Sequence, residues 1–198
     1  MIIKKFILGP ISTNVYLLIN NKSAILIDCQ KPKVILNYLE AKKIKLKAVL
    51  LTHGHFDHVK GAIILKEKTN AFVYMNKVDL TAPYGAKVNV DKNIKNNQIL
   101  NLNGLKIKVI FTPGHTKGSV SFYIKDKNLL FSGDTLFAKG IGRWDNSGKN
   151  YDNLINSLNK KLFRLPAKTR VLPGHGHESN IKKTMNYLKP LLFRNINN

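Results

Sequence analysis

Apolar and polar residues along the chain alternate in a rhythm that predicts two successive batches of strands and helices. The first batch should comprise strands at about 2–8, 14–20 and 23–28, a helix at 32–42, a strand at 47–51, a helix at 57–68 and a strand at 71–75. The second should comprise strands at about 99–102, 105–111, 118–124 and 128–132, a helix at 151–163, a strand at 169–172 and a helix at 178–192. Two α/β halves that pack sheet to sheet, with helices outside, are the most economical arrangement of these elements.

The segment between the two batches, residues 76–98, is polar, rich in asparagine and poorly patterned. Long connections without a secondary-structure pattern are uncommon in compact domains and are usually functional or mobile. We therefore predict a flexible insertion there.

A cluster of metal-binding side chains follows the apolar run that ends at Leu51. Residues 52–58 read THGHFDH and contain three imidazoles and a carboxylate. Imidazole nitrogen and carboxylate oxygen are ligands that zinc, iron and manganese share. The candidates in this segment are His53, His55, Asp57 and His58.

Three further candidates lie downstream, each after an apolar run and within a glycine-containing turn: His115 in PGHTKGS, Asp134 in SGDT and His175 in LPGHG. Such turns are expected at strand ends, where a rigid sheet can present the side chain. Surface histidines and a turn aspartate are the structural alternatives, but the combination of motifs favours a metal site. His177 is left over, and we expect it in an exposed loop or at a helix start.

The chain resembles the metallo-β-lactamase superfamily, and within it the short, single-domain hydrolases similar to glyoxalase II (hydroxyacylglutathione hydrolase). Besides the motifs above, the resemblance rests on LGP and TNVYLL near the start, LID at 26–28, GDTLF at 133–137 and GRWD at 142–145. It covers nearly the whole chain and implies the α/β fold of that family, a four-layer αβ/βα sandwich. One departure is Asp28-Cys29-Gln30, where relatives usually continue Asp-Pro-Gly, and it concerns the local turn rather than the metals.

The resemblance implies seven metal ligands: His53, His55 and His115 for a first ion, Asp57, His58 and His175 for a second, and Asp134 as a bridge between them. Seven ligands exceed what one catalytic zinc uses, since such a zinc typically binds three protein ligands and a water. Two divalent ions per chain, zinc or else iron or manganese, account for the number. Two close cations supply hydroxide near neutral pH, and Asp57 and Asp134 would hold this catalytic nucleophile.

The implied reaction is hydrolysis of a hydroxyacyl thioester such as S-lactoylglutathione, without a covalent enzyme intermediate. A rival in the same superfamily is a persulfide dioxygenase, which uses a single iron and a subset of the same ligands. A nuclease or phosphodiesterase is suggested by charge alone, although nucleolytic relatives usually carry added domains or an RNA-gripping arm. A non-enzymatic basic binding protein would leave the ligand set unexplained.

Substrate contacts are harder to assign from the sequence. Arg143 fits two roles equally well, binding of an anionic substrate group or a structural pair with Asp145. Asp28 fits either a hydrogen bond to a metal-bound histidine or a strand-end cap. Lys117 and Lys139 are also expected near the groove, but lysine is too frequent in this chain to single out either one.

The chain has 198 residues, enough for one domain with a substantial core. We expect a single domain over 1–198, without the C-terminal helical domain that helps two-domain glyoxalase II enzymes to hold glutathione. The groups that hold the substrate, a small anionic acyl thioester, would then come from the core fold or from a partner subunit in a homo-oligomer.

A formal net charge of +22 invites a nucleic-acid interpretation. However, lysine supplies nearly all of the excess, without a block of five or six like charges, and arginine is scarce. A bias towards AT-rich codons explains this composition better than nucleic-acid binding does. In either case the surface would attract anionic substrates.

Cys29 is the single cysteine, so no intramolecular disulfide can form and a reducing cytosol is the expected compartment. Gly9-Pro10 interrupts the N-terminal apolar run, no signal-peptide cleavage site follows, and no stretch approaches the roughly 18 apolar residues of a membrane span. We therefore expect a cytoplasmic protein without a membrane partner.

Overall fold

The computed structural model describes residues 1–82, 84–144 and 150–192, which contain two six-stranded sheets. The first sheet has the strand order β1-β2-β3-β4-β5-β6 and consists of β1 (Ile2–Leu8), β2 (Thr13–Asn20), β3 (Ser23–Ile27), β4 (Lys45–Leu50), β5 (Phe72–Met75) and β6 (Lys92–Asn93). The second has the order β14-β13-β10-β9-β8-β7 and consists of β7 (Ile99–Leu102), β8 (Leu105–Phe111), β9 (Val120–Ile124), β10 (Leu129–Gly133), β13 (Arg170–Pro173) and β14 (Ser179–Asn180). A separate antiparallel pair follows β10 and consists of β11 (Leu136–Phe137) and β12 (Gly140–Ile141).

The helices divide between the two halves of the chain. The first half contains α1 (Pro32–Ala41), α2 (Phe56–Val59) and α3 (Ala62–Thr69), and the second contains α4 (Asn150–Lys160) and α5 (Ile181–Leu192). Short 3₁₀ helices occur at Lys77–Thr81, Lys125–Lys127 and Leu162–Arg164. Pro32 opens α1, where its fixed φ suits the first helical turn. Within the described residues, no helix has both the length and the apolar character needed to span a membrane.

Strand β2 shows how the first sheet separates two cores. Val15 and Leu17 belong to a cluster that includes Ile35 of α1. Tyr16 and Leu18 alternate with them and belong to the cluster between the sheets. Because successive side chains of a strand point to opposite faces, a strand that is buried on both faces needs an unbroken apolar run, and β2 provides one.

The second sheet divides its side chains in the same way. Phe122 of β9 and Phe131 of β10 belong to the cluster between the sheets. Their neighbours Tyr123 and Leu130 pack in an outer cluster with Leu158 of α4 and with residues of α5. The layers are therefore helix, sheet, sheet and helix, which confirms the expected four-layer αβ/βα sandwich.

The predicted helix at 57–68 is in fact two helices, α2 and α3, which are separated at Lys60 and Gly61. Close packing accounts for the break. A Cβ atom on Gly61 would overlap Cys29 Sγ and would lie 3.0 Å from Pro32 Cδ. The chain therefore passes directly against the loop after β3 at this point, and this contact sets where α2 ends.

Residues 76–98 contain more regular structure than the prediction of a flexible insertion implied. Lys77–Thr81 form a 3₁₀ helix, and β6 pairs in parallel with β5. Asn76 Oδ1 caps this helix by accepting a hydrogen bond from the Val78 N–H at 3.2 Å, and Asn93 Oδ1 accepts one from the Lys77 N–H at 2.9 Å. Single side-chain hydrogen bonds of this kind leave no periodic pattern in a sequence, so the prediction was wrong for these stretches.

Phe122→Ala tests the assigned core between the sheets. Phe122 has no exposed surface, whereas Phe72 on β5 is 52% exposed. We expect Phe122→Ala to lower the free energy of unfolding by about 3–5 kcal/mol, because it leaves a cavity between two packed sheets. The control Phe72→Ala should cost less than about 1 kcal/mol. Urea denaturation followed by circular dichroism measures both, and equal losses would contradict this core.

Candidate metal centre

All seven candidate ligands lie at one end of the sandwich. Strands β8, β10 and β13 run in the same direction, so the loops after their carboxyl ends meet at one edge of the second sheet. The first sheet contributes the loop after β4 and the helix α2. In chain order, these elements carry His53, His55, Asp57 and His58 from the first half, and His115, Asp134 and His175 from the second.

The first group of ligands comprises His53, His55 and His115, which are all buried. His53 Nε2 lies 3.1 Å from His55 Nδ1, and His115 Nε2 lies 3.0 Å from that same atom. Two ligands of one tetrahedral zinc, with bonds of about 2.0–2.1 Å, would stand about 3.3 Å apart. These nitrogens therefore have close to the spacing that a shared cation requires.

The second group comprises Asp57, His58 and His175. His58 Nε2 lies 3.1 Å from Asp57 Oδ2 and 3.3 Å from His175 Nε2. His175 Nε2 in turn lies 3.3 Å from Asp57 Oδ2. Thr13 Oγ1 donates a hydrogen bond of 2.7 Å to that carboxylate oxygen and so fixes its orientation.

Asp134 lies between the two groups. Its Oδ1 is 3.4 Å from His58 Nε2, while its Oδ2 is 3.4 Å from His175 Nε2 and 3.7 Å from His115 Nε2. Asp134 Oδ1 is buried and accepts no hydrogen bond from the described residues. A buried carboxylate oxygen without a partner is costly unless a cation binds it. This orphaned oxygen and the imidazole-rich donor set fit two divalent ions of the zinc, iron or manganese type.

Three histidine rings are each oriented by a hydrogen bond at Nδ1, the nitrogen that points away from the other ligands. In each case Nδ1 meets an oxygen acceptor, so the proton stays on Nδ1 and Nε2 is left for a cation. The pairs are His58 with Asp28 Oδ2 at 2.7 Å, His115 with Arg143 O at 2.9 Å and His175 with Ile11 O at 3.0 Å.

Asp28 combines the two roles that the sequence left open. Its Oδ2 accepts the His58 hydrogen bond, and its Oδ1 accepts one from the Thr52 N–H at 2.8 Å. Thr52 Oγ1 also lies 3.0 Å from His53 Nδ1. Asp28 has a φ of +58°, a left-handed conformation that aspartate tolerates better than most residues. The altered sequence after Asp28 thus leaves this carboxylate in contact with the site.

The start of β2 ties the two halves of the molecule together beside the site. Asn14 Nδ2 donates to Pro173 O at 2.9 Å and to Gly176 O at 3.0 Å, and the Tyr16 hydroxyl donates to Pro173 O at 2.9 Å. These bonds hold the loop that carries His175 against the first sheet. The sequence predicted a strand here but not this contact.

Asp79 is a site residue that the sequence analysis missed. It is 2% exposed, and its carboxylate accepts hydrogen bonds from the Gly54 N–H at 3.0 Å, the Thr116 hydroxyl at 2.5 Å and the Gly118 N–H at 2.6 Å. Gly54 belongs to the loop of His53 and His55, and the other two partners, Thr116 and Gly118, follow His115 in its loop. Asp79 therefore joins the two loops that carry the first group of ligands. Asp79 lies within residues 76–98, where the sequence predicted a flexible insertion. The spacing of Asn76 and Asp79, typical of a capped turn, was the only sign of this role in the sequence.

Electrostatics keep two ligands of the first group, His53 and His55, neutral in the metal-free protein. Burial, together with the neighbouring His58, lowers the pKa of His53 well below its ordinary value. Burial and the nearby His115 lower the pKa of His55 to about 4. These rings are therefore ready to bind a cation without losing a proton.

The second group is charged in the metal-free protein. Burial opposes protonation of His58, but Asp134 and Asp28 outweigh it and raise the His58 pKa well above its ordinary value. Burial likewise opposes protonation of His175, yet hydrogen bonds to Asp134 and Asp57 raise its pKa to about 10. The carboxylates respond in the opposite sense: despite burial, contacts with His175 and His58 lower the pKa values of Asp57 and Asp134.

A groove of about 630 Å³ opens onto the ligands. The Tyr84 ring lies 6.4 Å from the His55 ring, and the Phe137 ring lies 6.4 Å from the His175 ring, so each group of ligands has an aromatic neighbour. Apart from the candidate ligands, the described lining residues are Ile11, Phe56, Tyr84, Phe137, Ile141, Gly142 and Arg143.

The remaining predicted residues divide between the groove and its surroundings. Arg143 lines the groove, whereas Asp145, its alternative partner, lies outside the described residues. Lys117 is not among the described lining residues of the groove, and Lys139 lines an adjoining cavity. His177 is exposed, as expected, and belongs to none of the ligand groups found in the described part of the chain.

Asp79→Asn tests the link between the two ligand loops. An amide nitrogen would face N–H donors, so we expect a loss of about 1–3 kcal/mol in the free energy of unfolding. The affinity of the first group for zinc should fall by about tenfold, as for other residues that orient ligands. Asp126→Asn, at an exposed aspartate, is the matched control. Urea denaturation and competitive zinc titration measure the two effects, and unchanged zinc affinity would count against this role.

Proton release on metal binding tests the charge states of the two groups. Because the pKa values of His58 and His175 are raised, both rings hold protons at pH 8 in the metal-free protein. We expect saturation with zinc at pH 8 to release at least about two protons per chain, one each from His58 and His175, besides any proton that a metal-bound water releases. The affinity of the second group for zinc should rise with pH up to pH 8. Calorimetric titration in buffers of different ionisation enthalpy counts the protons. Release close to zero would contradict the assignment.

Comparison with known proteins identifies relatives over most of the chain. The family model described as the metallo-beta-lactamase superfamily matches residues 8–175. A protein of Bacillus subtilis (strain 168), described as probable metallo-hydrolase YqgX, is 36% identical over 188 residues, which cover 87% of this chain and 89% of that protein. Hydroxyacylglutathione hydrolase 1 of Vibrio vulnificus (strain YJ016) is 33% identical over 181 residues, which cover 91% of this chain and 68% of that protein.

Solved structures agree with these relatives. BLEG-1 B3 metallo-beta-lactamase matches with a TM-score of 0.89 and 32% identity over 97% of this chain and 100% of that one. ETHE1 from Myxococcus xanthus matches with a TM-score of 0.83 and 28% identity over 96% of this chain and 84% of that one. TTHA1623 in a di-iron-bound form matches with a TM-score of 0.83 and 31% identity over 95% of this chain and 99% of that one. Given the sequence match, the shared fold and the converging ligands, this chain belongs to the metallo-β-lactamase superfamily.

Proposed function

We propose that this protein is a binuclear metallohydrolase that cleaves a hydroxyacyl thioester, such as S-lactoylglutathione, into a thiol and a hydroxy acid. The superfamily and the relative described as a metallo-hydrolase support the hydrolase class. The relative described as a hydroxyacylglutathione hydrolase supports the thioester.

The observation that carries this proposal is the second group of ligands. A single ion would need only part of the ligand set, yet Asp57, His58 and His175 also converge within 4.8 Å of one another. Asp134 reaches towards both groups. Two ions would use all seven side chains, with Asp134 placed to contact both, and would give Asp134 Oδ1 a partner.

The residues of the chain would prepare the site for hydrolysis in distinct ways. When bound, two divalent ions would supply hydroxide near neutral pH and polarise the substrate carbonyl. Asp57 and Asp134 stay ionised and balance the positive charge. Because their pKa values are lowered, both carboxylates are weak bases. They are therefore better suited to hold the nucleophile than to remove a proton. Asp28 keeps the proton of His58 on Nδ1, which preserves the donor atom at Nε2.

The groove supports a small acyl substrate with an anionic group. Aromatic and aliphatic side chains dominate its walls, and Arg143 is the only cationic residue among the described lining residues outside the ligand set. Apolar walls with a few convergent polar groups are typical of small-molecule sites. Arg143 would bind a carboxylate of the substrate, which in S-lactoylglutathione lies on the glutathione part because the lactoyl group is uncharged. This is the recognition role weighed from the sequence.

A mononuclear-iron persulfide dioxygenase is the second candidate. It would require one ferrous ion with open positions for oxygen and sulfur substrate, and the ligand set contains such a subset. The structural similarity to ETHE1 extends over 96% of the chain, so this candidate enters the same test. For the ions of the hydrolase we propose zinc, with iron or manganese as alternatives, since TTHA1623 is described in a di-iron-bound form. We further propose a cytoplasmic protein that acts on a small molecule rather than on nucleic acid.

Metal analysis combined with a substrate panel tests the proposed function. The purified protein should bind about two equivalents of zinc, iron or manganese and hydrolyse S-lactoylglutathione without oxygen. The panel should also include a lactone, a β-lactam, a phosphodiester and glutathione persulfide. One iron per chain, with persulfide-dependent oxygen uptake and no anaerobic thioester cleavage, would falsify the hydrolase proposal in favour of the dioxygenase.

Two variants refine the same experiment. Asp134→Asn should lower kcat/KM by about 100-fold or more, because it weakens the contact with both ions. Arg143→Ala should cost about tenfold, mainly in KM, because it removes one exposed contact with the substrate. Wild-type activity of the Asp134 variant with unchanged metal content would remove the two-metal assignment.

A further inference from the structure

A second cavity, of about 650 Å³, adjoins the metal centre. The turn between β11 and β12, the loop after β13 and the first turns of α5 enclose it. Phe137 and His175 line both this cavity and the groove, so the two spaces meet at these side chains. A molecule that is held at the metal centre can therefore extend past Phe137 into the second cavity.

Two lysines give the second cavity positive charge that no carboxylate among the described residues neutralises. Lys139 and Lys183 line it, and within the described part of the chain neither ammonium group has a carboxylate at ion-pair distance. Glu178 is the acidic residue among the described lining residues, and it pairs instead with Arg170, whose Nη2 lies 2.8 Å away. Lys139 Nζ lies 5.9 Å from the centre of the Tyr187 ring. The aromatic ring supports the cation without cancelling its charge.

The size of the expected substrate requires space beyond the groove. A hydroxyacyl group of a few atoms, such as the uncharged lactoyl group, occupies only the region around the two ligand groups. The larger thiol part must extend beyond this region. The second cavity, which begins at His175, provides the space for it. Its walls combine two aromatic side chains, Phe137 and Tyr187, with two unpaired cations. They suit an apolar or amide-containing chain that ends in an anion.

We propose that the second cavity binds the thiol part of the substrate, with Lys139 and Lys183 contacting an anionic group, carboxylate or phosphate, at its far end. This inference rests on the proposed thioester hydrolase function and specifies its substrate class. The contact acts on binding rather than on the reacting bond, so its effect belongs in KM. Because both lysines are exposed, each should contribute a factor of about two to five at low salt.

Matched substrate pairs that differ only in charge test this cavity. S-lactoylglutathione and its diethyl ester form the carboxylate pair, and the S-lactoyl thioesters of 4′-phosphopantetheine and pantetheine form the phosphate pair. Wild type, Lys139→Gln, Lys183→Gln and the double variant are compared in the metal-loaded protein. Lys182→Gln is the matched control, since Lys182 is an exposed neighbour on α5 that does not line the cavity.

For at least one pair, we expect the preference for the charged substrate to be about tenfold smaller in the double variant than in wild type. The change should lie in KM, while kcat and the activity on the neutral substrate stay unchanged. The pair that responds identifies carboxylate or phosphate. The preference should also shrink as ionic strength rises. If the double variant keeps the full wild-type preference, or if the preference falls equally in Lys182→Gln, the cavity does not bind the anion.

Binding of the free thiols separates this inference from the proposed function. Titration calorimetry with phosphopantetheine, pantetheine, glutathione and its diethyl ester requires no turnover. Weaker binding of a charged thiol to the double variant, in a protein that cleaves no thioester, would support the cavity and overturn the thioesterase. Thioester cleavage without any effect of the lysines on binding or KM would support the thioesterase and overturn the cavity.

Discussion

Five imidazoles and two carboxylates converge in a space only a few ångströms wide, and the rest of the structure follows from the need to hold them there. In the metal-free protein this convergence is costly, because like groups crowd together and polar atoms such as Asp134 Oδ1 lack partners. A divalent cation relieves the cost by pairing with the donor atoms. The protein must nevertheless keep the donors aimed before the cation arrives, and it does so with hydrogen bonds from outside the cluster.

Those outer hydrogen bonds link parts of the chain that are far apart in sequence. Asp79 joins the loop of His53 to the loop of His115. Asn14 joins the start of β2 to the loop after β13. Together they fasten the two sheets at the edge where the ligands emerge, so core packing and metal binding depend on the same contacts. Loss of such a contact should therefore affect both stability and metal affinity.

Positive charge is distributed unevenly around the ligands. His53 and His55 are neutral without metal, whereas His58 and His175 carry protons that Asp134, Asp57 and Asp28 stabilise. Beyond the second group, the adjoining cavity presents two lysines that have no acidic partner in the described part of the chain. The thiol part of the proposed substrate, which carries the anionic groups, would therefore find cations in both spaces, Arg143 in the groove and Lys139 with Lys183 beyond Phe137. The high net charge of the chain adds a general attraction but does not create this arrangement.

The sequence by itself determined the layers of the fold and the identity of the candidate ligands. Unbroken apolar runs such as β2 can only be buried on both faces, and histidines in glycine turns after such runs belong at strand ends. Tertiary structure alone decided which side chains hold the ligands in place. Asp79 and Asn14 act through single hydrogen bonds to distant backbone, which leave no periodic pattern, and the break at Gly61 arises from contact with Cys29. Lys139 was indistinguishable from the other lysines of the chain until folding placed it with Lys183 beside the metal centre, because a shared cavity is a property of positions in space rather than of neighbours in sequence.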